Sequence, residues 1–152
     1  LGQKATVREF LSTKFMQKRL PLIMEAVVGA GVPHCVLMSA YGVGDTVRSA
    51  SFLMRVACKT IMRSIFRDRA KADAMVAKYQ PYISRALPGR LTDEPGKGGA
   101  KVVDVTSVAH VPGIPTIARE DVADALLDIA GDPLNAGTDF LVTIEDVVIR
   151  AA

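Results

Sequence analysis

The sequence predicts a single α/β domain over residues 1–152, built on a mostly parallel sheet, and three observations carry that reading. Residues 14–39 run as helix, glycine stop and buried strand, the rhythm of a βαβ unit. Tyr82–Leu87 is a short apolar run that Pro88 and Gly89 halt at a sharp turn. Residues 117–130 then repeat apolar positions at helical spacing, and Phe140–Ile144 is a last apolar run of strand length. Ligands of an open parallel sheet bind in the crevice beyond the carboxyl ends of its strands, so the Pro88–Gly89 turn marks the first place to look for a site.

Taken in order, Thr6-Val7-Arg8-Glu9 has capping-box spacing and starts a short helix. A stronger helix follows from about Lys14 to Val28, with Phe15, Leu20, Ile23, Met24 and Val27 on one stripe, and Gly29 and Gly31 end it. Pro21 either kinks that helix or marks its first turn. Pro33–Ser39 reads as a buried strand with Ser39-Ala40-Tyr41-Gly42 at its carboxyl end; a serine there has the alternative role of capping the next turn. His34 lies at the other end of that strand and reads as a surface histidine, and His110 falls in an irregular loop over Thr106–Pro115.

From about Asp45 to Lys78 the chain reads as helical, and Arg55, Lys59, Arg63, Arg67 and Lys71 recur every four residues as one drifting basic stripe. That stripe is either a solvated face or a surface for anions or anionic lipid. Nucleic acid is excluded as a partner class, because no aromatic residues interleave with the charges and no reading motif is present. Beyond Gly89, Arg90 meets either a phosphate or acidic substrate group, or pairs with Asp93 or Glu94. Lys97-Gly98-Gly99 is a turn, Lys101–Val105 a short edge strand, and Glu120 and Asp121 suit the positive end of the helix they open. Gly131-Asp132-Pro133 ends that helix, and Glu145–Arg150 either extends the last strand or forms an edge.

Charge divides the chain. Residues 1–90 carry 15 Lys/Arg against 5 Asp/Glu, net +10, while residues 91–152 carry 4 against 11, net −7. The basic half attracts phosphate-bearing ligands, or the two halves meet each other or an acidic partner surface. Cys35 and Cys58 sit in apolar stretches without metal-ligand spacing, so they read as reduced core residues of a cytoplasmic protein with no metal site. No apolar run reaches the roughly 18 residues of a membrane span.

Two segments carry a family resemblance. LPGRLTDEPGKGG, from Leu87 to Gly99, and IAREDVADALLDIAGDP, from Ile117 to Pro133, resemble the divergent short-chain dehydrogenase/reductases, in particular the NAD(P)H-binding branch of flavin and biliverdin reductases and NmrA-like redox sensors. Gly29–Val32 through Ser39–Gly42 is similar to the helix, strand and serine-bearing turn of that family, so the resemblance spans roughly residues 16–143. It implies a Rossmann-like fold. It also implies NAD(P)-dependent reduction of a small planar substrate such as a flavin or quinone, with NADP or NAD as cofactor. By the same resemblance Ser39 and Tyr41 orient the substrate, while Gly2, Ser39, Ala40, Leu87, Pro88, Gly89 and Arg90 contact the cofactor.

Two features of the family pattern are missing from the sequence. No GxxGxxG turn follows a strand, so the N-terminal glycine-rich βαβ unit that binds the pyrophosphate is lacking; the chain opens at Leu1-Gly2, resembling the end of the family's fourth strand. No YxxxK pair occurs, so a Tyr–Lys general acid is not expected. These absences keep other readings open: a non-catalytic NmrA-like sensor or protein-interaction domain, or a fragment of a longer enzyme. They also lead to the expectation of a homo-oligomer, or of contact with the missing N-terminal half, across an uncovered strand edge.

Overall fold

The computed structural model describes residues 14–60 and 63–150. Thr6–Glu9 lies outside them. Helix α1 spans Phe15–Gly29 and strand β1 Cys35–Met38. Two helices, α2 (Phe52–Lys59) and α3 (Arg63–Met75), precede β2 (Ile83–Pro88) and β3 (Arg90–Thr92). Strands β4 (Lys101–Asp104), β5 (Val108–His110) and β6 (Thr116–Ala118) lead into α4 (Arg119–Gly131), β7 (Asp139–Thr143) and β8 (Val148–Ile149).

The main sheet has the order β1-β2-β7-β4, with β1, β2 and β7 parallel and β4 antiparallel on one edge, as the expected α/β class requires. Two small pairs flank it: β3 with β6, parallel, and β5 with β8, antiparallel. Parallel neighbours need helical crossovers, and the chain supplies α2 and α3 between β1 and β2 and α4 before β7.

Successive strand residues point to opposite faces, which gives the sheet two cores. On one face Ala86, Phe140 and Val142 pack against Val122, Ala125 and Ile129 of α4 and against Ile117. On the other, Ile83 meets Leu20 and Met24 of α1 with Ala72 and Val76 at the end of α3. Farther along that second face Leu87 and Leu141 pack against Tyr41, Met54, Cys58, Val108 and Val111. Coverage on both sides is why β2 and β7 read as apolar runs rather than alternating ones. Among the described residues no helix is long and apolar enough to cross a membrane.

The structure corrects several sequence expectations. The stretch from Asp45 to Lys78 is not one helix. A 3-10 turn covers Gly44–Arg48, Ser51 then starts α2 by accepting a hydrogen bond from the Met54 amide at 3.2 Å, and α2 stops at Thr60, whose hydroxyl donates back to the Val56 carbonyl at 2.8 Å. The basic stripe is therefore split between two helices. Pro21 lies in the second turn of α1, and the helix runs through it. The 106–115 loop contains β5, and residues 145–150 turn back to pair with it as β8. His34 is half-buried, bonded through Nε2 to the Ser84 hydroxyl at 2.8 Å, because β2 passes beside it. Cys58 is buried and Cys35 half-buried, both free thiols.

Leu141 is fully buried at the centre of the sheet. Its truncation in Leu141→Ala is expected to cost about 2–5 kcal/mol. Urea unfolding checks this: the midpoint drops while the denaturant slope stays unchanged.

Candidate active site

Because β1 and β2 run parallel, their carboxyl ends lie side by side, and backbone bonds continue the pairing past the strands. The Ser39 amide donates to the Ala86 carbonyl and the Tyr41 amide to the Pro88 carbonyl, each at 2.8 Å. Ser39-Ala40-Tyr41 and Pro88-Gly89-Arg90, to which the family resemblance assigns substrate and cofactor contacts, are thereby brought together, with Leu87 buried beneath them. Gly2 lies outside the described residues.

Gly89 has a packing reason to be glycine. A Cβ there would collide with the Pro115 carbonyl, to which the Arg90 amide donates at 2.8 Å before β3 and β6 pair. The Arg90 side chain is exposed. Asp93, one of its two expected partners, pairs instead with Arg119 at 2.7 Å, and among the described residues Arg90 forms no ion pair.

Both candidate hydroxyls are engaged within the protein. Ser39 is buried; its hydroxyl donates to Asp73 Oδ2 at 3.0 Å and accepts from Arg69 Nε at 3.2 Å. Tyr41 is 1% exposed, and its hydroxyl is bonded to the Ser49 hydroxyl at 2.8 Å. Ser49 sends its own proton to the Thr46 carbonyl at 3.1 Å, so the phenol is the donor in that pair. Burial pushes the Tyr41 phenol above its ordinary value.

Behind Ser39 lies a polar cluster that the family resemblance does not mention. Asp73 on α3 accepts from Arg85 of β2 at 3.4 Å, and Arg85 donates through Nε to Asp139 of β7 at 2.8 Å and closes a second bond to the same carboxylate. Arg69 stands 3.8 Å from the other oxygen of Asp73. Hydrogen bonding to Asp139 raises the Arg85 pKa, whereas burial lowers that of Arg69. A clue was present in the sequence: Arg85 is the one charged residue between Tyr82 and Leu87, and a charged side chain in a strand covered on both faces needs a buried partner. The position of that partner, twelve residues back on a helix, could not be read from spacing.

The cluster forms the floor of a cleft of about 550 Å³ on the second face of the sheet, lined by Thr46, Ser49, Asp73, Arg85, Leu87 and Val108 among others. Ser39 and Tyr41 do not line it, but each is one hydrogen bond from a residue that does. The volume falls in the range of small-molecule sites.

A second polar feature also exceeds its sequence reading. Glu120 and Asp121 do more than complement the helix dipole of α4. The Gly96 amide donates to Glu120 at 2.8 Å, and the Lys97 and Gly98 amides donate to Asp121 at 3.1 and 2.8 Å. The glycine-rich loop after β3 is thereby held on the first turn of α4.

Two outcomes follow. Asp73→Ala leaves Ser39, Arg69 and Arg85 without a shared acceptor; a loss of about 2–3 kcal/mol is expected, below the figure for a fully buried pair because the Arg85 side chain is 28% exposed. Chemical denaturation measures it. The raised phenol of Tyr41 contributes stability that is complete below its unfolded value near pH 10 and is lost as pH rises beyond it. Unfolding free energy should therefore fall more steeply between about pH 9 and about pH 11 in the native chain than in Tyr41→Phe, as paired urea titrations at those pH values would record.

Comparison with known proteins agrees with this architecture. A family model described as NAD(P)H-binding matches residues 2–133. ChuY, an anaerobillin reductase from Escherichia coli O157:H7, superposes with a TM-score of 0.65 at 18% identity over 86% of this chain and 59% of its own. A short-chain dehydrogenase/reductase from Veillonella parvula in complex with NADP gives 0.70 at 16% identity over 86% and 59%. The oxidoreductase ylbE from Lactococcus lactis gives 0.63 at 18% over 93% and 58%. At these identities the likeness is one of fold, and the chain spans about three-fifths of the length of each. No curated protein matches the sequence. With the family model covering most of its length, the chain belongs to the family described as NAD(P)H-binding.

Proposed function

We propose that the chain works in the NAD(P)H-dependent reduction of a small planar substrate such as a flavin or quinone. The observation that carries this reading is the meeting of Ser39-Ala40-Tyr41 with Pro88-Gly89-Arg90 at adjacent carboxyl ends of β1 and β2, the position where open parallel sheets take their ligands. The nicotinamide end of NADP or NAD would lie along Ala40, Leu87, Pro88 and Gly89, with Gly2 as a further contact. Arg90, an exposed cation with no ion pair among the described residues, fits a cofactor phosphate. The bound cofactor would supply the hydride.

Ser39 has one lone pair left after bonding Asp73 and Arg69, so it would act as an acceptor toward an amide or ring N–H. The cleft floored by Arg85 and Asp139 would hold the substrate, with Leu87 and Val108 against its apolar surface. Tyr41 would orient the substrate through Ser49. Direct hydride passage to an electron-accepting ring needs no Tyr–Lys acid, consistent with the absence of that pair from the sequence.

A second reading is favoured by the engagement of both hydroxyls inside the protein: a sensor that binds cofactor without turning it over, acting through protein contacts. Fluorescence titration with NADPH and NADH, followed by flavin and quinone reduction assays, separates the two. Micromolar binding with turnover supports the reductase. Binding without turnover supports the sensor, and no binding at millimolar cofactor overturns both. In the reductase, Arg90→Glu is expected to weaken NADPH binding about tenfold or more, the scale of one lost charge-assisted phosphate contact, with the folding midpoint unchanged.

A further inference from the structure

The exposed charges of this chain form two matched stripes. Arg55 and Lys59 on α2 and Arg63, Arg67 and Lys71 on α3 are all exposed, spaced every four residues, and none forms an ion pair among the described residues. The one acid between residues 55 and 71 is Asp68, which is buried and accepts from the Met16 amide and the Gln17 side chain. Beside the cations, Phe52 and Leu53 are 81% and 62% exposed.

On α4 and just beyond it, Glu120, Asp124, Asp128 and Asp132 recur at the same four-residue interval, all exposed, and no Lys or Arg occurs between residues 120 and 134. Here too large apolar side chains stand in solvent, Leu127 at 71% and Leu134 at 88% exposure. The expectation that the basic and acidic halves meet within the chain is not met for these residues. Helix α3 packs over the Ile83 face of the sheet and α4 over the Ala86 face, so the sheet itself keeps the two stripes apart.

We propose that copies of this chain associate head to tail, the α2–α3 face of one against the α4 face of the next. Both stripes advance about 6 Å per charge along their helices, so Arg63, Arg67 and Lys71 can meet Glu120, Asp124 and Asp128 in register. Phe52, Leu53, Leu127 and Leu134 supply the apolar area that isolated surface ion pairs lack. The two patches differ, so the contact is heterologous: it closes into a ring if the rotation between copies allows, and otherwise extends. The association is weak and salt-sensitive, because its charges lie on exposed helices. It requires no cofactor and stands independently of the reductase reading.

Sedimentation velocity on the full chain tests it. At about 20 mM salt the weight-average mass should climb above the monomer's 16.2 kDa as concentration rises, and at about 500 mM the dissociation constant should be at least tenfold weaker. Reversing one stripe, by Arg63→Glu with Arg67→Glu and Lys71→Glu or by Asp124→Lys with Asp128→Lys, should leave each variant monomeric. An equimolar mixture of the two variants should regain mass, because each then offers the charge the other lacks. All five positions are exposed, and circular dichroism verifies that both variants stay folded. A native chain that is monomeric at every concentration in low salt overturns the proposal. So does association untouched by either reversal, a mixture that fails to recover, or a monomeric chain whose basic stripe binds phosphatidylserine vesicles instead.

Discussion

The buried carboxylate of Asp73 is the point at which the secondary elements around the candidate site are tied together. It accepts a hydrogen bond from the Ser39 hydroxyl just beyond β1, faces Arg85 of β2, and has Arg69 of its own helix alongside. Arg85 in turn binds Asp139 at the start of β7. One helix and three parallel strands are thus joined by a cluster of opposite charges out of most contact with water. Such clusters contribute less to net stability than their Coulomb attraction suggests, since each charge loses hydration on burial. Their stronger effect is on geometry: removing any member leaves the others unsatisfied, so the position of α3 over the sheet and the orientation of the Ser39 hydroxyl are fixed together.

That coupling bears on how the site can work. A serine whose proton is already committed to a carboxylate presents an acceptor, and a tyrosine whose phenol is buried and pushed to a higher pKa is a poor proton donor to bulk solvent. Neither arrangement suits classical acid catalysis. Both are compatible with a site that orients ligands and leaves the chemistry to cofactor and substrate. The cleft beside them has an apolar wall and a charged floor.

The sequence made the course of the chain legible wherever a periodic apolar pattern coincided with a stop signal. Helix α1, strands β1, β2 and β7 and helix α4 fall within a few residues of their expected bounds, because glycine and proline punctuate them. The stretch between β1 and β2 misled for a physical reason: basic residues at four-residue spacing look the same on one long helix as on two short ones, and the break between α2 and α3 comes at Thr60, which no glycine or proline marks. The juxtaposition of Ser39 with Pro88-Gly89 followed from parallel topology and was expected. The partners of Ser39 were not, since Asp73 and Arg69, an i,i+4 pair on α3, reach it across intervals of 34 and 30 residues, and Arg85 meets Asp73 across 12, none of which a local motif encodes. The acidic start of α4 was read as favourable to its dipole, yet its carboxylates also bind three amides of the loop near Gly96, a task set by where that loop passes.

The register of the sheet also bears on how the chain reaches this state. Cys35 pairs with Ile83 and Arg85 with Asp139, so every parallel ladder in the main sheet joins segments about fifty residues apart in sequence. Closing loops of that length costs entropy before any ladder bond forms, which makes strand assembly slow compared with helix formation. Strand β2 takes part in both ladders, and so the sheet has no centre until β2 is seated. In the interval α3 and α4 would carry their apolar faces uncovered, and the time that β2 takes to find β1 and β7 sets how long the chain remains exposed to aggregation.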